Sequence, residues 1–173
     1  LDNVSITIKK GDIYGLIGRN GAGKTTLMKL ITTLSTPSSG TFTLFGIENE
    51  SSDIYDNKQR VGSLIENPAF YPNLSAYDNL KYYAIQRGFT NLNQINRVLE
   101  MVNLTNTGKK KAKNFSLGMK QRLGIALAIL NNPDFVILDE PINGLDPIGI
   151  SELRDTFKNL ANNGVTLLVS SHI

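Results

Sequence analysis

The sequence contains no cysteine, no tryptophan and a single histidine, and aromatic residues make up 8% of its 173 positions. Without cysteine, the chain can form neither a disulfide framework nor a thiolate metal site. Its longest apolar run, residues 125–130, is far too short to cross a bilayer, which takes about 20 residues. The first residues do not have the pattern expected of a signal peptide. We therefore expect a soluble, intracellular protein rather than a disulfide-rich secreted domain or a membrane-spanning one.

The charge balance is too even to indicate a nucleic-acid partner. The net charge is +3, and the basic residues are scattered apart from one run at residues 109–113. That run is most simply a solvated loop face. With 40% hydrophobic and 19% charged residues, the composition is that of an ordinary globular protein, and the length predicts one domain over residues 1–173.

A glycine-rich stretch at residues 18–26 fits the phosphate-binding pattern G-x-x-x-x-G-K-[ST] at every fixed position. A short apolar segment precedes it, and the residues after it place Leu27, Leu30 and Ile31 on one helical face. In this strand–loop–helix context, backbone N–H groups and the helix dipole attract phosphate, Lys24 reaches the β- and γ-phosphates, and Thr25 offers a hydroxyl to Mg²⁺. The predicted nucleotide-binding residues are Gly18, Arg19, Asn20, Gly21, Ala22, Gly23, Lys24, Thr25 and Thr26.

Apolar patterning predicts six strands. Residues 4–8 and 41–45 alternate at period 2, and the former are expected to form a half-buried antiparallel strand. The other four are short apolar runs of the kind found in buried strands. They cover residues 13–17, 61–65, 135–138 and 165–169.

Three predicted helices follow one another with no strand between them. The first is capped by Ser75, the second spans about residues 93–102, and the third is capped by Ser116 and ends before Pro133. They predict a helical insertion at approximately residues 68–130. The expected fold class is α/β: a P-loop NTPase core with a mainly parallel sheet, a small antiparallel β subdomain and an inserted α-helical subdomain. Both chain ends interrupt such patterns, so the sequence is expected to be a fragment of its domain.

An acidic pair, Asp139 and Glu140, ends the apolar strand at residues 135–138. Downstream of a phosphate loop, such a strand is the expected second metal element, with Asp139 holding Mg²⁺. Glu140 would orient or deprotonate the attacking water. Taken alone, the pair also fits a polar strand-to-loop junction.

Together these motifs resemble the ATP-binding cassette ATPases, in order along nearly all the chain. Residues 115–119 stand where the family has its LSGGQ signature, residues 143–147 resemble the loop that crosses the dimer interface, and His172 resembles the switch histidine. The resemblance implies ATP and Mg²⁺ as cofactors and a head-to-tail dimer with a second nucleotide-binding domain. It implies that Ser116, Gly118 and Asp146 contribute to nucleotide binding, and that Lys24, Glu140 and His172 are catalytic.

Three departures from the family pattern stand out. The signature has Leu117 for the first Gly and Met119 for Gln, and Glu66 occupies the position of the coupling Gln. Glu66 can still ligate Mg²⁺ or hold water, so the predicted metal ligands are Thr25, Glu66 and Asp139. The aromatic residue that stacks on adenine is expected before Leu1.

Residues 116–122 together with Glu66 make the chain similar to the ATPase subunits of bacterial exporters of bacitracin and lantibiotic-type peptides. The resemblance implies an ATP-hydrolysing subunit that binds a membrane-spanning permease. It also implies a peripheral protein at the cytoplasmic face of the membrane, and no nucleic-acid partner is expected. Two alternatives stay open: a soluble cassette ATPase without a transport role, and a regulatory module that binds ATP without hydrolysing it.

Overall fold

The computed structural model describes residues 1, 3–89 and 92–172. Its main sheet has four parallel strands in the order β1-β6-β5-β4. These strands are β1 (Ile13–Ile17), β4 (Val61–Leu64), β5 (Phe135–Leu138) and β6 (Thr166–Ser171). Because all four are parallel, their carboxyl ends meet at one edge of the sheet, where an α/β fold binds its ligand.

A small antiparallel sheet pairs β2 (Thr43–Leu44) with β3 (Ile47–Glu48). The helices are α1 (Lys24–Ile31), α2 (Ile54–Lys58), α3 (Ala76–Gln86), α4 (Gln94–Met101), α5 (Leu117–Ile129) and α6 (Pro147–Asn162), with 3₁₀ turns at Thr105–Thr107 and Ala112–Asn114. Helices α3, α4 and α5 follow β4 and precede β5 in the sequence, as predicted. Within the described ranges, no helix is long and apolar enough to span a membrane.

Strand β5 is buried along its whole length because it lies inside the sheet and is covered on both faces. Val136 and Leu138 belong to a core shared with helices α3 to α6. Phe135 and Ile137 point to the opposite face, where they join Met28 of α1. The prediction of a buried parallel strand from the continuous apolar run at residues 135–138 is thereby confirmed. Strand β1 is also predicted to be buried, and this is wrong: it lies at the sheet edge, and its residues alternate between exposed and half-buried.

Two predicted helix caps are present. The Ser75 hydroxyl accepts a hydrogen bond from the Asp78 N–H at 3.1 Å, and the Ser116 hydroxyl accepts one from the Met119 N–H at 3.3 Å. Each bond satisfies a donor that has no partner inside its helix.

Helix α5 packs unusually close to strand β4. A Cβ atom built at Gly62 would lie 2.1 Å from the backbone oxygen of Ala128. Only glycine fits this approach, so Gly62 sets the distance between the sheet and helix α5.

The predicted antiparallel strand at residues 4–8 is wrong: no strand forms there. Val4 and Ile6 are 48% and 37% exposed, and no second strand lies beside them within the described ranges. Alternation indicates a half-buried surface, but a strand also needs a neighbour that shares its backbone hydrogen bonds.

The strand predicted at residues 41–45 is shorter than expected. Phe45 and Gly46 both have positive φ angles, 53° and 83°, and form the two-residue turn between β2 and β3. The last strand, predicted to end at residue 169, continues through Ser171. This extension brings two serine residues to the functional edge of the sheet.

Candidate functional site

The glycine-rich loop connects β1 to α1 at the carboxyl edge of the sheet. The Gly18 N–H donates to the Ser171 oxygen at 3.1 Å, which fixes the start of the loop to β6. Residues 19–22 are exposed, and Thr26 lies exposed in the first turn of α1. The N-cap residue Gly23 has a φ angle of 91° and provides no side-chain hydrogen bond, and the first turn contains no acidic residue. The N–H groups that begin α1 are therefore directed toward an anion from outside the helix.

The Lys24 side chain is 8% exposed and has three oxygen atoms around its ammonium group. Its Nζ lies 2.6 Å from the Gly18 oxygen, 3.2 Å from the Arg19 oxygen and 3.1 Å from Glu140 Oε1. The two carbonyl contacts are hydrogen bonds, whereas the contact with Glu140 is an ion pair in which Oε1 accepts no hydrogen bond. A phosphate that binds Lys24 therefore competes with the Glu140 carboxylate for the same ammonium group.

Asp139 and Thr25 are neighbours in space although 114 positions separate them. The Thr25 hydroxyl donates to Asp139 Oδ2 at 2.6 Å, and Asp139 is 8% exposed. A hydroxyl and a carboxylate are hard oxygen donors, and Mg²⁺ is commonly held by one or two such protein ligands beside phosphates and water. This pair therefore fits the predicted Mg²⁺ site.

Ser170 joins Asp139 to Glu140 and was not singled out from the sequence. Its hydroxyl donates to Asp139 Oδ1 at 2.6 Å and accepts from the Glu140 N–H at 2.7 Å. The available signal was indirect: a serine near the end of a strand. Its relevance depends on β6 lying next to β5, and that strand order is not written in the local pattern.

Glu140 lies between the two other predicted catalytic residues, Lys24 and His172. Its Oε1 forms the ion pair with Lys24, and its Oε2 lies 2.7 Å from His172 Nδ1. Burial raises the pKa of the Glu140 carboxyl, but His172 and Lys24 together lower it by more, so the net pKa falls below its usual 4.5. At neutral pH the carboxylate is ionised, and Nδ1 of His172 must carry the proton that it shares with Oε2.

Glu66 is not brought into this cluster. Its Oε1 lies 2.7 Å from Lys29 Nζ, and its side chain is 63% exposed. The hydrogen bond and charge of Lys29 lower the pKa of the Glu66 carboxyl from 4.5. Within the part of the chain that the structure describes, no group of three acidic or histidine side chains is placed so that it could hold a metal ion. The metal role of Glu66 stays a prediction.

Ser116, Gly118 and Asp146 lie at the beginnings of two neighbouring helices. Ser116 caps α5, and the Asp146 carboxylate caps α6 by accepting from the Gly149 N–H at 2.8 Å. The side chains of Leu117 and Leu145 fill the space beside the glycines of these turns. No described hydrogen bond or ion pair links Ser116, Gly118 or Asp146 to residues 18–26 of the same chain.

The features at the sheet edge define a class of protein. These features are a glycine loop between the parallel strand β1 and an uncapped helix, a lysine within the loop, and a hydroxyl–carboxylate pair beside it. They are typical of a nucleotide-binding domain of the P-loop type. The model of the ABC transporter family matches residues 1–143, and the chain belongs to this family. The predicted family is thus confirmed.

The chain is similar over its full length to several ATP-binding proteins. It is 52% identical to the ABC transporter ATP-binding protein YcbN of Bacillus subtilis and 49% identical to the bacitracin transport ATP-binding protein BcrA of Enterococcus faecalis, and spans 56% of each. It is 48% identical to the lantibiotic transport ATP-binding protein SrtF of Streptococcus pyogenes and spans 73% of it. The chain thus covers little more than half the length of the first two relatives.

Solved structures agree with the fold. CbiO1 of Clostridium perfringens, part of the ABC transporter complex CbiONQ, superposes with a TM-score of 0.88 at 26% identity, covering 98% of this chain and 70% of that one. The ATP-binding cassette MJ0796, in a dimeric post-hydrolysis state bound to ADP and Pi, superposes with a TM-score of 0.83 at 27% identity and covers 100% and 80%. The predicted fold class, a mainly parallel P-loop core with a small antiparallel sheet and added helices, is confirmed.

Proposed function

We propose that this chain is the ATP-binding and ATP-hydrolysing part of an ABC exporter of peptide antibiotics of the bacitracin or lantibiotic type. One observation carries the ATPase proposal: Glu140 is ionised, mostly buried, and in contact with both Lys24 and His172 at the mouth of the phosphate loop. The exporter proposal is supported by the similarity to BcrA and SrtF, whose names refer to bacitracin and lantibiotic transport.

Binding begins at the loop. The phosphate chain of ATP competes with Glu140 for Lys24 and takes hydrogen bonds from the N–H groups of the loop and of the first turn of α1. Thr25 and Asp139 would hold Mg²⁺, and the bound ion would neutralise charge on the phosphate oxygens. Arg19, Asn20, Gly21 and Ala22 contribute the exposed part of this cradle.

Hydrolysis requires a water in line with the γ-phosphate. The Glu140 carboxylate accepts a hydrogen bond from this water, and His172 holds the carboxylate in place through Oε2. The water oxygen forms a bond to the γ-phosphorus, the bond between that phosphorus and the β,γ-bridging oxygen breaks, and the proton of the water passes to Glu140. Lys24 stabilises the charge that develops on the phosphate.

A second copy of the domain completes the site. Ser116, Gly118 and Asp146 lie at helix beginnings and make no described bond to the phosphate loop of their own chain. We assign them to the nucleotide of a partner copy, which the N–H groups of a helix beginning can bind. The ATP-binding cassette MJ0796, which superposes on this chain, is described as dimeric. In this arrangement, each nucleotide lies between the loop of one copy and Ser116 of the other.

The permease partner has a candidate binding site in an open cavity of about 460 Å³ beside the edge strand β4, next to its contact with α5. Ile65, Pro68, Tyr83, Arg87 and Leu127 are among the residues that line it. Docking of a membrane subunit here would hold the domain at the cytoplasmic face of the membrane. Because Ile65 and Asn67 line the cavity, a movement of Glu66 between them would be passed on to the docked subunit.

Two measurements test the proposal. The protein should release phosphate from ATP, and Lys24→Ala should abolish both the release and the binding of ATP because it removes the buried cation of the loop. A polytopic membrane protein should co-purify with the protein from its own cells. ATP hydrolysis without such a partner would contradict the exporter proposal and favour the soluble cassette ATPase, whereas ATP binding without hydrolysis would favour the regulatory module.

A further inference from the structure

Ser170 makes two hydrogen bonds that tie the two acidic residues of the site to each other. It lies in β6, its side chain is fully buried, and its hydroxyl lies between Asp139 and the backbone of Glu140. A backbone N–H can only donate, so the hydroxyl accepts from Glu140 at 2.7 Å. Its single proton is therefore given to Asp139 Oδ1 at 2.6 Å.

This contact leaves the two oxygens of Asp139 in different environments. Oδ1 is occupied by Ser170 in the interior, whereas Oδ2 faces Thr25 and the phosphate loop. The backbone N–H of Asp139 is itself held by the Leu64 oxygen at 2.9 Å. With its backbone and one carboxylate oxygen fixed, Asp139 presents only Oδ2 toward a cation at the loop.

The same hydroxyl steadies Glu140. The φ angle of Glu140 is 47°, in the left-handed region that costs a non-glycine residue free energy. The hydrogen bond from its N–H to Ser170 offsets part of this cost. Because of this backbone turn, the Glu140 side chain reaches both Lys24 and His172.

We propose that Ser170 is a positioning residue that restricts Asp139 to one-oxygen contact with the cation of the bound nucleotide and fixes the backbone turn of Glu140. The inference rests on the proposed function, because it assumes that the site binds a nucleotide with its cation.

The one-oxygen contact of Asp139 affects which cation the site prefers. Mg²⁺ requires near-octahedral geometry and accepts single carboxylate oxygens, whereas Ca²⁺ tolerates two oxygens from one carboxylate. Removal of the Ser170 hydroxyl frees Oδ1 and should weaken the preference for Mg²⁺ over Ca²⁺.

Ser170→Ala tests this inference, with Thr166→Val as the matched control. Thr166 lies on the same strand, is 6% exposed, and its hydroxyl accepts from the Gly11 N–H at 3.0 Å, at the opposite end of the strand. Calorimetric titration should measure ADP affinity without metal, with Mg²⁺ and with Ca²⁺, and thermal unfolding should be recorded for each variant. In this design the metal-free ADP affinity reports the loop alone.

In Ser170→Ala, metal-free ADP affinity should stay within about twofold, and the gain in affinity on adding Mg²⁺ should fall about fivefold or more, at least the size expected for the loss of one ordinary hydrogen bond. The gain with Ca²⁺ should fall less, so that the Mg²⁺/Ca²⁺ ratio decreases about threefold or more. Ser170→Thr keeps the hydroxyl and should restore most of the ratio. Ser170→Cys, which keeps the size and loses most of the hydrogen bonding, should shift the ratio in the same direction as Ser170→Ala, and it serves if the alanine variant does not fold.

A Ser170→Ala variant that unfolds at a lower temperature, as Thr166→Val should, but keeps the wild-type Mg²⁺/Ca²⁺ ratio would overturn the inference and leave Ser170 a purely structural residue. An unchanged ratio in a folded Ser170→Cys variant would overturn it equally. If the wild-type protein binds no ADP under any of these conditions, the proposed function fails with it, and that result is recognisable before any variant is measured.

Discussion

Substitution of Glu140 by glutamine separates nucleotide binding from hydrolysis. The change keeps the size of the side chain and an oxygen that can accept from Lys24, but it removes the negative charge and the proton acceptor. General-base groups contribute about 10²- to 10⁴-fold to turnover, so the rate of phosphate release should fall by at least about 100-fold. This loss corresponds to roughly 3–5 kcal/mol in the activation free energy.

Nucleotide affinity should change in the opposite direction. In the free protein, Glu140 competes with phosphate for Lys24 across a distance of 3.1 Å. The glutamine oxygen can still accept from Lys24, but the ion pair is lost, and ion pairs that reach the surface contribute up to about 1 kcal/mol. The glutamine variant should therefore bind ADP up to about fivefold more tightly. The glutamine variant is therefore expected to bind ADP more tightly and to hydrolyse ATP far more slowly.

Steady-state phosphate release and equilibrium titration with ADP measure the two quantities. Glu152→Gln provides the matched control, because Glu152 also pairs with a mostly buried cation, Arg122 at 3.0 Å, but lies on helix α6 outside the cluster. This control should keep the parental rate and affinity. A Glu140→Gln variant that hydrolyses ATP at the parental rate would refute the role given to Glu140, and one that binds ADP more weakly would refute the competition for Lys24.

Three further predictions concern packing, pH and the cation. Gly62→Ala should lower the free energy of unfolding by about 2–4 kcal/mol in urea titrations because its Cβ meets a backbone oxygen of α5 at 2.1 Å, whereas Gly15→Ala, with no atom within 4 Å, should cost about 1 kcal/mol or less. The pKa of Glu140 is lowered in the folded protein, so its contribution to stability is present above pH 4.5 and is lost as the pH falls below that value; the melting temperature of Glu140→Gln should lack this component of the acid dependence, and identical acid profiles would contradict the assignment. Glu66→Gln should reduce the Mg²⁺-dependent gain in ADP affinity less than Asp139→Asn does, because Lys29 already holds the Glu66 carboxylate; equal losses would support the metal role predicted for Glu66.

Much of the core and of the phosphate loop could be predicted from the sequence because both depend on local patterns. A fixed spacing of glycine and lysine determines the loop, and an uninterrupted apolar run indicates a strand covered on both faces, as β5 is. Caps such as Ser116 are equally local, since the hydroxyl and the N–H that it satisfies are three residues apart.

What could not be predicted depends on contacts between distant parts of the chain. Residues 4–8 have the alternation of a strand, but no strand lies beside them in the described structure. Glu66 has a carboxylate suited to a metal, but its partner in the structure is Lys29, 37 positions away. Ser170 acts through Asp139, 31 positions away, because β6 lies next to β5. Neither distance nor strand order can be obtained from periodicity.

The contacts of Lys24 connect the binding of nucleotide to the readiness of Glu140. In the free protein the ammonium group is surrounded by two backbone oxygens of the loop and by the Glu140 carboxylate. A phosphate that binds Lys24 competes with the Glu140 carboxylate for the ammonium group, and displacement of Glu140 leaves its Oε1 without a counterion while Oε2 stays with His172. An ionised oxygen in a mostly buried position requires a donor, and a water beside the γ-phosphate can supply one. The same exchange that holds the nucleotide thereby prepares Glu140 to bind the water that attacks it.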